Sequence, residues 1–97
     1  MKKKLVIDAP VLSRLLDLPR EQKIACLLAI SDIPAAFGRP HLHSGLSIRK
    51  LRLGWFECRG NLDWRILFKD RSEDLFVAFI GNHDEVQKLL RSGVFDR

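Results

Sequence analysis

The sequence contains no tyrosine, one methionine and only two cysteines. It also lacks any apolar run approaching the roughly 20 residues that a membrane-spanning helix needs. The start, "MKKKLVIDAP", has a basic head, but the apolar stretch behind it ends at Asp8. That is too short for the core of a secretion signal, so no membrane partner is expected and a cytoplasmic location is. Cys26 and Cys58 do not form a CxxC spacing, which argues against a disulfide framework or a dithiol redox motif. Cys26 falls inside the helical pattern "KIACLLAI" and reads as a small core residue. No repeat or low-complexity tract interrupts the chain. With 97 residues and 46% apolar content, one domain over 1–97 with a single core is expected.

What the sequence does have is charge gathered in one place. Eight of its 17 basic residues lie between Arg39 and Arg71, against three acids there, Glu57, Asp63 and Asp70. That third of the chain carries the whole net charge of +5, because the remaining basic and acidic residues cancel. Such a cluster is either a solvated surface or a patch that steers a polyanion, of which nucleic acid is the usual one.

The order of elements follows from periodicity. "KKLVIDA" has the β-branched centre of a strand, and Asp8 with Pro10 spells the start of a helix. Leu12, Leu15 and Leu16 share one side of that helix. Leu18-Pro19 breaks it, and in the next helix Ile24, Leu27 and Leu28 recur at helical spacing and are expected to face a core. "IPAAFGRPHLHSG" reads as the way out of the helical half. From Ile48 the period becomes two, giving the strands "IRKLRL", "WFECR", "DWRILFK" and "LFVAFIG". The last is apolar enough to be buried on both faces. Asn82 and Glu85 form a capping-box spelling, so a final helix over about 84–91 should gather Val86, Leu89 and Leu90. The expected fold is α+β, with helices on one face of a twisted antiparallel sheet.

Alternation assigns the faces of the middle hairpin. A three-residue turn, "GNL", pairs Arg59 with Asp63 and Glu57 with Arg65. That puts Glu57, Arg59, Asp63 and Arg65 on one face, with Phe56, Cys58, Ile66 and Phe68 towards the core.

This layout resembles the RelE/ParE superfamily of bacterial toxins from toxin–antitoxin pairs over essentially the whole chain. The strand "WRILFK" is similar to the family's aromatic-Arg-aliphatic-aliphatic-aromatic strand. The spelling "PHLHSG…DWRILFKD…GNHDEV" is most similar to the YafQ-type, ribosome-dependent mRNA interferases. The resemblance implies a small domain with two N-terminal helices on a curled antiparallel sheet and a short C-terminal helix. It also implies RNA cleavage by attack of a 2′-hydroxyl on the adjacent phosphate, with ribosome, mRNA and a cognate antitoxin as partners.

That chemistry needs a base, a cation for the phosphoryl oxygens and an acid for the leaving 5′-oxygen, and neither metal nor cofactor. Carried over by position, His83, Asp63, Arg65 and His41 are the catalytic candidates. Arg49, Lys50, Arg52, Arg59 and Trp55 are the candidates for holding RNA, Trp55 by stacking on a base. Arg59 stands where the YafQ-type branch tends to place a histidine, a departure that leaves the general base unassigned. The branches also favour an aromatic residue in the last helix; this chain offers Gln87 there, with Phe95 further on.

Plainer readings stand beside these. His83 suits the first turn of an exposed helix, His41 and His43 suit a solvated loop, and Asp63 and Arg65 suit cross-strand ion pairs with Arg59 and Glu57. A zinc site from His41, His43, His83 and Cys58 is opposed by alternation, which turns Cys58 inward. Two other functions fit the same resemblance: a ParE-like inhibitor of DNA gyrase, and a degenerate partner-binding module.

Overall fold

The computed structural model describes residues 3–37 and 47–93, so His41, His43 and Phe95 lie outside the described residues. The first strand, β1 (Lys4–Ile7), gives way to α1 (Ala9–Asp17) at Asp8, whose carboxylate accepts from the Ala9 N–H at 3.1 Å. Leu18 and Pro19 adopt extended backbone, and α2 (Arg20–Ala36) begins directly after them. The helix runs past Ile33, where the sequence suggested an exit, and carries Pro34 inside its last turn. Pro34 forfeits one backbone bond, but the Phe37 N–H still reaches the Ile33 carbonyl at 2.9 Å and closes the helix.

Four further strands follow: β2 (Arg49–Lys50), β3 (Trp55–Arg59), β4 (Trp64–Asp70) and β5 (Asp74–Asn82), and then α3 (His83–Arg91). They form one five-stranded sheet in the order β1-β5-β4-β3-β2. Strand β1 lies parallel to β5, so the sheet is mixed rather than wholly antiparallel. The expected strand "IRKLRL" shrinks to two residues because the backbone turns left-handed on both sides of it. Ser47 has φ 53°, Leu53 φ 51° and Gly54 φ 83°.

The β3–β4 hairpin keeps its predicted faces but not its predicted register. Arg59 lies opposite Arg65, Glu57 opposite Leu67, and Phe56 opposite Phe68. The connection is longer than "GNL": the Gly60 N–H bonds to the Trp64 carbonyl at 3.0 Å. Inside it the Asn61 side-chain oxygen accepts from the N–H groups of Asp63 and Trp64, both at 2.9 Å. Asp63 therefore belongs to the turn and not to the strand. The slip is by two residues, an even number, so every side chain stays on its face.

Helices α1 and α2 cover one face of the sheet. Val11, Leu15, Cys26, Ala29, Ile30 and Ile33 meet Cys58, Ile66, Phe68, Leu75, Val77 and Ile80 in the main core. The side of α2 predicted to be buried is the wrong one, since Ile24, Leu27 and Leu28 are exposed, as are Leu12 and Leu16 of α1. α2 is apolar nearly all round, so periodicity alone could not choose its inner face. Packing distance chose it, because Cys26 and Ala29 let the helix lie close to the hairpin. A β-carbon added to Gly60 would sit 2.5 Å from the Cys26 sulfur.

The other sheet face is not left to solvent as the helices-on-one-face reading required. Val86 of α3 buries against Leu67, with Leu51, Trp55, Phe79, Leu89 and Leu90 around them. A bulge makes this possible. Leu67 pairs with Phe79 but Phe68 pairs with Val77, leaving Ala78 as the extra residue of β5. The extra residue switches the alternation, so Leu75, Val77 and Ile80 all point into the main core while Phe79 turns towards α3. The unbroken apolar run "LFVAFI" thus feeds two cores.

Because α2 rests on the glycine turn, Gly60→Ala should lower unfolding stability by about 1–3 kcal/mol, the usual range for overpacking. Urea titration measures this, and a loss below about 0.5 kcal/mol would mean that Cys26 yields freely.

Candidate active site

Arg59 and Arg65 face each other across the β3–β4 ladder. Like charges in that position repel, at roughly 0.2–1 kcal/mol against a neutral pair. Folding accepts this cost on the open part of the face that α3 only half covers. The offsetting group is Glu57, which is buried although charged. Its Oε2 lies 2.8 Å from Nη2 of Arg49 on β2, and its Oε1 lies 3.7 Å from Nε of Arg65. One carboxylate cannot neutralise three guanidiniums. Nη1 of Arg65 is buried and has no hydrogen-bond partner among the described residues. The patch is left with an excess of positive charge, which an anion could offset.

His83 comes to this patch through the start of α3. Asn82 caps the helix: its side-chain oxygen accepts from the Glu85 N–H at 2.9 Å, and Glu85 Oε1 accepts from the Asn82 N–H at 3.0 Å. Glu85 is also gripped by both outer nitrogens of Arg14 on α1, each at 2.8 Å. Arg14 Nη1 donates as well to the Ile80 carbonyl at 3.2 Å, and its guanidinium lies 5.2 Å from the Trp64 ring centre. Trp64 in turn donates to Gln22 of α2 at 2.7 Å. Gly81 lets α3 begin hard against the strand, since a β-carbon there would stand 2.7 Å from the Phe79 ring. Elements from both ends of the chain thereby hold the first residue of α3 in place.

Two hollows share His83. The first, about 300 Å³, is lined by Ser47, Arg49, Glu57, Arg59, Arg65 and His83. The second, about 410 Å³, is lined by Gln22, Leu62, Asp63, Trp64, Asn82, His83 and Asp84. Their charges are opposite, the first guanidinium-rich and the second bounded by two carboxylates. Arg49, Arg59, Arg65 and His83, four of the residues singled out in the sequence, meet in the first hollow. Asp63 meets His83 in the second.

The remaining candidates scatter. Lys50 pairs with Phe56, on the opposite side of β2 from Arg49, and Arg52 is exposed in the turn that follows. Trp55 is half-buried in the second core with Lys69 stacked 5.4 Å from its ring centre. Cys58 is free and fully buried, and burial first, then the Glu57 charge and Cys26, push its thiol up to about 12. It faces away from the histidine, and as a thiol it is a poor metal ligand. Among the described residues no three His, Cys, Asp or Glu side chains form a group able to hold a metal ion, and no helix is long and apolar enough to cross a membrane. Sequence reading took Glu57 only for an ion-pair partner. The available signal was a carboxylate in a strand whose same-face neighbours, Arg59 and Arg65, are cations.

No family model matches the chain, and no curated protein matches it in sequence. Solved structures do. The archaeal RelE–RelB complex of Pyrococcus horikoshii is 18% identical with a TM-score of 0.66, covering 84% of this chain and 96% of that one. The RelBE2 toxin–antitoxin complex of Mycobacterium tuberculosis is 15% identical, TM-score 0.65, covering 86% and 100%. The YoeB dimer of Staphylococcus aureus is 13% identical, TM-score 0.63, covering 86% and 99%. At such identities the likeness is one of fold: three helices and a five-stranded open mixed sheet of the RelE kind.

The clamp on α3 has a pH signature. Hydrogen bonds from Arg14, then the one from the Asn82 backbone, hold the Glu85 carboxyl below its ordinary 4.5. A depressed carboxyl stabilises the fold above its unfolded value, and the gain disappears as pH falls through the folded value. Urea midpoints should show wild type losing its margin over Glu85→Gln, about 1 kcal/mol or less for so exposed a pair, as pH falls below the ordinary carboxyl value of 4.5. A margin constant across that window would sever Arg14 from the stability of α3.

Proposed function

We propose that this chain, which has the fold of the RelE-type toxins, is itself the toxin of a toxin–antitoxin pair and cleaves messenger RNA on the ribosome. The observation that carries the reading is the first hollow: three arginines and a histidine converge there, and one guanidinium nitrogen is buried with no partner among the described residues. Arginine forks bind phosphate oxygens in pairs and do not lose their charge at working pH. Histidine is the side chain whose unperturbed titration lies nearest neutrality, so it can give a proton to a leaving 5′-oxygen. Arg65 holds the scissile phosphate, Arg59 and Arg49 support the neighbouring backbone, and His83 is the acid. The YafQ-like motifs and the RelE-like fold support ribosome-bound mRNA as substrate. A ParE-like inhibitor of gyrase, acting by binding alone, needs no proton donor beside its cations.

An antitoxin partner follows from the same reading. Leu12, Leu16, Ile24, Leu27 and Leu28 are exposed on α1 and α2, on the outer side of the helices and not in the helix–sheet groove. An amphipathic segment that folds on binding would cover them, and an acidic stretch would quench the arginines.

Expression of the chain alone should arrest growth and stop methionine incorporation before thymidine incorporation. His83→Gln should abolish the arrest while shifting stability by about 0.5 kcal/mol or less, as befits an exposed side chain. Arrest of thymidine incorporation first would favour the gyrase reading, and full toxicity of His83→Gln would remove the histidine from the mechanism.

The arginines generate a separate expectation. Ribosome or RNA affinity should fall steeply with salt, and replacing Arg49 and Arg59 with Ser should flatten that slope by about two counterions. The same exchange at Lys50 should change it less, since Lys50 leaves β2 on the other side.

A further inference from the structure

Resting on the nuclease reading above, we infer that Arg14 of α1 is a positioning residue for cleavage: acting through Glu85, it fixes where the His83 imidazole stands in the arginine-rich hollow. Arg14 lines neither of the hollows that His83 shares, so its effect has to travel through another side chain.

The need for it follows from how little else restrains α3. Val86 is the buried residue of that helix, seated against Leu67 with Leu89 and Leu90 beside it. A short helix held along one apolar seam can still roll about its own axis. Towards α1 the packing is open. A hollow of about 160 Å³ touches Val11, Arg14 and Phe79, and another of about 450 Å³ touches Phe79, Glu85 and Leu89. No side chain fills these spaces, and the bridge from Arg14 to Glu85 spans the seam.

The geometry of the bridge opposes a roll. Nη1 of Arg14 donates to Oε2 of Glu85 and Nη2 donates to Oε1, both at 2.8 Å. Two parallel bonds fix an orientation, which a single ionic contact does not. Nη1 also donates to the Ile80 carbonyl at 3.2 Å, which anchors the guanidinium to β5. Oε1 of Glu85 accepts from the Asn82 N–H at 3.0 Å, so the clamped carboxylate is bonded to the residue next to His83. With a side chain reaching about 5 Å from the helix axis, a roll of about 15° carries the imidazole roughly 1 Å. A displacement of that size can cost a reaction about 100-fold.

Removing Arg14 leaves the groups around the imidazole in place. Among the described residues these are Arg49, Glu57, Arg59 and Arg65 on one side, with Asp63 and Asp84 on the other. The hold on phosphate should therefore survive while proton transfer suffers.

The test is single-turnover cleavage of mRNA on programmed ribosomes. Arg14→Ala should lower the saturated rate by about 10- to 100-fold, with half-saturation unchanged within about threefold. Combined with Glu85→Ala, it should cost at most about twofold more than Glu85→Ala alone, because the two residues act as one unit. Ile33→Val, a main-core change on α2 that lowers stability away from α3, should keep its rate. A second measurement needs no cleavage. Inorganic phosphate should shift the NMR signals of the His83 ring, recognised by their loss in His83→Gln, and Arg14→Ala should shrink that shift. A folded Arg14→Ala protein that keeps its saturated rate, or loses it no more than Ile33→Val does, overturns the assignment. Where Arg14→Ala folds poorly, Arg14→Lys decides, since it keeps the charge without the fork: an unchanged saturated rate there overturns it equally. Wild-type protein that cleaves no RNA on ribosomes overturns the nuclease reading, and the phosphate response then decides separately whether Arg14 places His83.

Discussion

The extra residue in β5, Ala78, is the constraint on which the arrangement rests. A regular β5 would alternate without interruption, and Val77 and Phe79 would share a face. With the bulge, Val77 and Ile80 both enter the main core and Phe79 serves the second one. The strand can then supply a core to α1 and α2 along most of its length and another to α3 near its end. It also delivers Gly81 opposite Arg65, where the missing side chain gives α3 room to start. Without the change of phase, no helix would begin beside the arginines, and His83 would have no reason to lie there.

Around that strand the charged groups fall into two sets with different work. Arg14 and Glu85 satisfy each other with two parallel bonds, and the Asn82 N–H of the cap shares Oε1 with Arg14. These charges serve shape alone. Arg49 and Arg65 are not satisfied in this way, since they share the one Glu57 carboxylate, and Nη1 of Arg65 is buried with no partner among the described residues. A network that is complete stiffens a fold, and one left incomplete marks where something else is to bind. The two sets meet at the first turn of α3, so the stiff one holds the histidine beside the unsatisfied one.

Much of this was legible in the sequence, and the reasons for the failures are physical. Asp8, Pro19 and the Asn82–Glu85 pair act through local hydrogen bonds and backbone limits, so their spelling was enough to place α1, α2 and α3. The faces of β3 and β4 survived a wrong register because the side-chain period is two and the slip was even. The inner face of α2 was not legible, because Ile24, Leu27 and Leu28 look more buried than Cys26 and Ala29 to any reading that ranks side chains by size. What decides that face is the close approach of Gly60, a contact between distant parts of the chain. The bulge was invisible for a related reason: "LFVAFI" reads the same whether one core or two lie beside it. His83, Arg65, Arg59 and Arg49, singled out in the sequence for their chemistry, line one hollow. Glu57 was read as an ion-pair partner, and only the structure shows that it is buried beside Arg49 and Arg65.

The parallel ladder between β1 and β5 ties Lys4 to Asp74 and Ile7 to Val77. Such a ladder joins the two ends of the chain and cannot zip outward from a tight turn, so its closure entropy is met late. The β3–β4 hairpin and the α1–α2 pair draw on nearer neighbours and can form without it. Folding order therefore separates the cations from the histidine: the arginine-bearing hairpin is a local structure, whereas the start of α3 is fixed only when Arg14 has come within reach of Glu85. Hydrogen exchange across the ladder would run with global unfolding, and a partner that seized the chain before closure would meet an arginine patch with no histidine fixed beside it.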